Sequence, residues 1–97
     1  MFAKIIDLDG NQIDLVPQNG SDFNLKELYS LLECDRIEVA YPMSKEHRGK
    51  IMIVDEEGKL CGKEINRVAT IHYNDMSKGV LDIIVGNAIL CDSDMLI

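Results

Sequence analysis

Apolar positions along this chain change their spacing from segment to segment, and the changes mark out its elements. Residues 2–8 crowd Phe2, Ala3, Ile5, Ile6 and Leu8 into a first strand of imperfect alternation. Gly10 and Asn11 tolerate positive φ and supply a tight turn after Asp9. Residues 12–16 then return as a second strand, giving an N-terminal hairpin within residues 1–17. Pro17 and the polar residues 18–21 end it. Leu25, Leu28 and Leu32 fall at i, i+3 and i+7, which predicts a helix over 25–33 with one apolar face. Asn24 followed by Glu27 is its start signal, in the manner of a capping box.

Residues 36–41 alternate, with Ile37, Val39 and Tyr41 on one face of a half-buried strand that Pro42 ends. A charged loop over 43–49 leads into a strand at 50–55. After a turn closed by Gly58, residues 59–61 are expected to pair back. Residues 66–73 fit either a helical turn or a strand, the strand alternating His72 with Ile71 and Tyr73. The longest apolar run, 81–91, reads as a central strand bulged at Gly86 and Asn87. Residues 92–97 read as a loosely held tail. The expected architecture is α+β in a single domain, 1–97. It has a small, mostly antiparallel sheet of about five strands with one or two helices packed on one face.

A chain of 97 residues buries roughly 60–65% of the surface its unfolded form exposes, so one modest core is expected. An apolar fraction of 46% argues against intrinsic disorder. No apolar run approaches the roughly 18–20 residues that span a bilayer, and residues 1–7 lack signal-peptide character. The expected location is therefore cytoplasmic. Cys34, Cys61 and Cys91 are odd in number and form no C-x-x-C pair, as free thiols would. Cys61 and Cys91 lie in predicted strands, where they would act as small buried hydrophobes.

The net charge of −7 is unevenly spread. Residues 44–67 carry six cations and five anions, whereas the rest of the chain carries four cations and twelve anions. Duplex nucleic acid is disfavoured as a partner, because it needs a broad basic face.

Few residues suggest chemistry. Asp7, Asp9 and Asn11 offer oxygens at alternate positions like a calcium loop, but Gln12 stands where the sharp turn needs Gly and Gln18 where a bidentate Glu belongs. They read as a hairpin turn. His47 and His72 lack metal-ligand spacing, so no metal is expected. Gly58 and Gly62 are too close for a phosphate loop, and Glu56 and Glu57 read as a solvated turn. No catalytic residue and no cofactor is expected. What remains is an anion- or nucleotide-sized site on the central segment. Arg67 could fork onto a carboxylate or phosphate, and Asn66 could read a base or ribose edge. Lys45, His47, Arg48 and Lys50 could add positive field, and Tyr41 a stacking face. In the purely architectural alternative, Asn66 caps the following turn and Arg67 pairs with Glu64 or Asp55.

Taken together, Leu28 and Leu32, Ile37 to Pro42, residues 53–60, Asn66-Arg67-x-Ala69 and residues 82–86 resemble domain of unknown function 3846 over roughly residues 25–90. The resemblance implies a small protein of phages, plasmids and the bacteria that carry them, with no catalytic motif to transfer. The expected function is that of a non-enzymatic accessory binding protein of a mobile element, sequestering a small nucleotide-like or anionic ligand. The alternative is an acidic protein–protein inhibitor of a host defence or replication factor, using its acidic surface or an open sheet edge. The partner is thus a small anionic ligand or a host protein rather than duplex nucleic acid or a membrane. Assembly into a homo-oligomer is left open.

Overall fold

Strand β4 (Lys50–Asp55) is buried at Ile51, Met52, Ile53 and Val54, so both of its faces need cover, and this sets the layering of the fold. The computed structural model describes residues 2–96. Around β4 it places β1 (Ala3–Ile6), β2 (Gln12–Asp14), α1 (Leu25–Leu32), β3 (Ile37–Ala40), α2 (Arg67–Tyr73) and β5 (Ala88–Asp92). Short 3-10 helices lie at Lys45–His47, Met76–Lys78 and Ser93–Met95. The sheet runs β2-β1-β5-β4-β3, and each neighbouring pair is antiparallel.

Side chains of successive strand residues point to opposite faces. Ile51, Ile53, Ile89 and Cys91 therefore join Leu28 and Leu32 of α1, with Phe23 and Met95, in one core. Met52, Val54, Ala88 and Leu90 join Ile6, Ile84 and Ala69 of α2 in the other. The α+β class and the five-stranded sheet agree with expectation. The helices do not share a face: α1 covers one side and α2 the other.

Asn24 caps α1 as anticipated, its Oδ1 accepting from the Glu27 N–H at 2.8 Å. Glu27 does not reciprocate; its Oε2 accepts from the Gln18 N–H and ties down the preceding loop instead. Glu33 ends the helix in the left-handed region at φ 53°. Lys63 donates to the carbonyls of Leu32 and Glu33 at 3.1 and 3.2 Å, serving the end where cations are favoured.

Three further expectations fail. Residues 59–61 form a turn rather than a strand, and Cys61 is exposed. Cys91, by contrast, is buried in a strand as expected, and burial pushes its thiol up to about 12. Residues 92–96 are not loose: the Phe23 N–H donates to the Met95 carbonyl at 2.7 Å, and Met95 is 2% exposed. Ile97 lies outside the described residues. Met95→Ala should therefore cost about 2–4 kcal/mol, read as a lower urea midpoint at unchanged slope. A midpoint equal to wild type would return the segment to the status of a tail.

Candidate functional site

Residues 66–73 become helical because polar side chains four residues apart find their partners only in a helix. Asn66, Thr70 and Asn74 line one edge of α2 and its caps, and all three are buried. Asn66 Oδ1 accepts from the Ala69 N–H at 3.0 Å, an N-cap, while its Nδ2 donates to the carbonyls of Ile6 and Gly86 at 2.9 Å each. Thr70 Oγ1 accepts from the Ile84 N–H at 2.9 Å. Asn74 Oδ1 accepts from the N–H groups of Leu81 and Asp82, and its Nδ2 donates to the carbonyls of Thr70 and Asp82. This ladder holds residues 81–86 as an irregular segment, so the expected central strand begins only at Ala88. Gly86 makes the junction at φ +71°, where a Cβ would meet Lys63 Cδ at 2.9 Å.

The segment forms one wall of a cleft of about 520 Å³ on the α2 face, beside the edge strand β3. Glu38, Ala40 and Val54 contribute from the sheet, Tyr41 and Tyr73 from one side, and Lys59, Asp82 and Ile83 from the other. Four carboxylates line it: Glu38, Asp55, Glu56 and Asp82. Lys59 lies 2.7 Å from Asp82 and, by hydrogen-bonding it, holds that carboxyl below its usual range. Asp55, its side chain 7% exposed, receives Lys63 at 2.9 Å and the Glu57 N–H at 2.9 Å. Burial opposes its ionisation, but these donors outweigh burial and lower its pKa. Glu38 and Glu56 have no ion-pair partner among the described residues. The turn between Asp55 and Lys59 packs so tightly that a Cβ on Gly58 would meet Val85 Cγ2 at 2.9 Å.

The residues expected to bind an anion are not gathered into one site. Asn66 is 1% exposed with both amide atoms bonded to backbone, so it faces no ligand. Arg67 lines a different cleft with Leu8, Asp9, Gly10, Glu64, Ile65 and Val68. It makes no ion pair with Glu64 or Asp55, because Asp55 takes Lys63 instead. Tyr41 is 72% exposed and belongs to the acidic cleft. Lys45 and Arg48 are exposed on the loop before β4. Lys50 pairs with Asp92 at 4.0 Å, its Nζ 4.8 Å from the Phe2 ring centre; Lys4 Nζ lies 5.1 Å from the same ring. His47 is buried, and its Nε2 lies 2.9 Å from Nδ1 of His72, which is on α2 rather than in a strand. Among the described residues, no group of three or more His, Cys, Asp or Glu could hold a metal. Among the described residues no helix is long and apolar enough to cross a membrane.

The family model for a domain of unknown function (DUF3846) matches residues 4–95. The chain belongs to this family. The match takes in the N-terminal hairpin as well as the 25–90 stretch marked by the sequence motifs. No curated protein and no solved structure matches the chain. In this DUF3846 domain, Thr70 and Asn74 were missed by sequence reasoning, although their four-residue spacing from Asn66 is a helical signal. Glu38, Tyr73 and Asp82 were missed as cleft residues because only the fold brings them together.

Asn66→Ala should lower stability by about 2–4 kcal/mol, the loss of a cap plus two buried acceptors left unpaired, whereas Arg67→Ala should stay within about 0.5 kcal/mol. Chemical denaturation of the pair distinguishes an architectural Asn66 from a surface Arg67. The lowered pKa of Asp55 predicts stability that is present above its unfolded-state value and lost as pH falls through the folded one. Asp55→Asn should flatten that acid limb in pH-dependent urea melts.

Proposed function

We propose that this chain is a non-enzymatic binding protein that takes up an extended, basic and apolar segment of a partner protein along the open edge of β3. The observation that carries this reading is the outer edge of β3 lying beside a cleft with two uncompensated carboxylates. The Glu56 N–H donates to the Arg36 carbonyl at 3.1 Å, which fixes the alternation of the ladder. Glu38 and Ala40 then bond inward to Val54 and Met52, and the backbone groups of Ile37 and Val39 point outward. Among the described residues no strand meets them. An added strand would complete those bonds, while Glu38 and Glu56 favour Lys or Arg and the Tyr41–Tyr73 side takes apolar groups. The family resemblance supports a setting in phages or plasmids. An inhibitor acting in the cytoplasm on a host defence or replication protein fits the acidic cleft.

A second reading, sequestration of a small nucleotide-like or anionic ligand, is favoured by the gathering of Lys4, Lys50 and His72 about His47, with Phe2 beneath the two lysines. It is the weaker one. Of the six cations in residues 44–67, Lys50, Lys59 and Lys63 are already ion-paired.

Short synthetic peptides alternating Lys with Val, and matched peptides with Glu in place of Lys, separate these readings. The Lys peptides should shift the amide resonances of Ile37 and Val39 and lose affinity with salt, and the Glu peptides should not bind. Val39→Pro removes an outward N–H at a position where an edge strand tolerates Pro, and should abolish uptake in a folded protein. Reversing Glu38 and Glu56 to Lys should weaken it about tenfold or more. Nucleotides that shift Lys4 and Lys50 while the peptides leave β3 untouched would overturn the proposal in favour of the second reading.

A further inference from the structure

The loop between β3 and β4 is fastened to the end of α2 by two bonds. One joins the Met43 N–H to the Tyr73 carbonyl at 2.8 Å. The other joins His47 Nε2 to His72 Nδ1 at 2.9 Å, with ring centres 5.0 Å apart and planes inclined at 58°. Two imidazoles so placed need one N–H and one free lone pair between them. A first added proton is compatible with that bond. A second removes the last acceptor and sets two N–H groups against each other.

The surroundings oppose the second proton. His47 is buried; His72 faces it from α2, Lys50 from β4 and Lys4 from β1, and only Glu46, on its own 3-10 helix, favours the charge. Asp92 of β5 offsets Lys50 at 4.0 Å, and Lys45 of the loop bears on Asp75 just beyond α2. The same cations disfavour a metal here. A tetrahedral ion would also hold its two nitrogens about 3.3 Å apart rather than in hydrogen-bonding contact.

We propose that His47 and His72 form a proton-operated clasp that fixes the Tyr41–Tyr73 side of the acidic cleft when closed and releases it in acid. This deepens the strand-uptake reading by adding its regulation, and its partner-binding consequence rests on that reading. His72 immediately precedes Tyr73, and the clasped loop immediately follows Tyr41, so both tyrosines are set by this junction. Burial first, then His72, Lys50 and Lys4, lower the pKa of His47. The stability it contributes is therefore present above the unfolded imidazole value and is lost as pH falls through the lower folded one.

The test uses the free, full chain, so it is decided whether or not any partner binds. Imidazole nitrogen resonances of both histidines and amide protection factors over residues 43–48 are followed from about pH 7 to about pH 5. Wild type should show His47 titrating below the ordinary range and about a tenfold loss of loop protection in acid. In His72→Gln the amide can donate or accept by rotating, so the clasp survives protonation of His47 and the acid step should vanish. His72→Ala should leave the loop unprotected throughout. Titration of His47 at an ordinary value, or loop protection that is flat with pH in wild type, would overturn the proposal. If His72→Ala fails to fold, wild type and His72→Gln still decide it. Peptide uptake measured across the same range then reports separately on strand uptake. Uptake that ignores a demonstrated clasp opening would remove the coupling, and no uptake at any pH would remove the strand reading while leaving the clasp.

Discussion

The amide of Asn66 is the tie on which the α2 half of the molecule depends. It starts α2, reaches the last carbonyl of β1, and takes the carbonyl of Gly86 just before β5. Three pieces of chain far apart in sequence are thereby fixed by one side chain inside an apolar layer. There, an unmet polar group would cost on the order of 1–3 kcal/mol. Thr70 and Asn74 extend the same arrangement by one and two turns. The result is a segment, 81–86, held to its neighbours largely by side chains. Among the described residues only Val85, through its bridge to Ile65, makes a strand-like pairing there. A cleft wall made this way can present Ile83 and Asp82 in positions that a regular strand would not allow.

Charge is distributed with the same local logic. The basic bias of the central segment disappears once its partners are identified. Lys63 serves Asp55 and the end of α1, Lys59 serves Asp82, and Lys50 serves Asp92. Each of these ties joins separate parts of the chain, so the cations act as fasteners rather than as a field for a ligand. The carboxylates left without partners in the cleft, Glu38 and Glu56, lie along or beside the open edge. An acidic protein thus keeps uncompensated negative charge at a place where backbone bonding groups are also free.

Much of the scaffold was legible in the sequence. The hairpin around Gly10, the cap at Asn24, Leu28 and Leu32 on the buried face of α1, the Ile37–Val39 alternation of β3 and the strand at 50–55 all follow from local rules, whereas Leu25 and Tyr41, expected on those same faces, are exposed. The failures have a common physical origin. The run at 81–87 has strand composition, but apart from the short bridge of Val85 to Ile65 its backbone partners are side chains of α2 and its caps, which local pattern does not reveal. Asn66 looked like a ligand reader because its chemistry is the same whether it meets a base edge or a carbonyl; burial decides between them, and burial is a tertiary property. The His47–His72 contact spans 25 residues and joins a loop to a helix whose helical character was itself ambiguous. The placement of α1 and α2 on opposite faces was implicit in the continuous apolar character of Ile51 to Val54, which signals a strand covered on both sides.

The brevity of α2 has its own consequence. A helix of seven residues lies well below the roughly 12–15 at which an isolated helix becomes marginally stable in water. Its hydrogen bonds therefore persist only while the sheet and the 81–86 segment hold it, and those segments in turn lean on its side chains. Helix, segment and cleft wall should open and close as one cooperative unit whose free energy lies below that of global unfolding. A guest strand seated against that wall would draw its selectivity partly from how far it suppresses this shared opening.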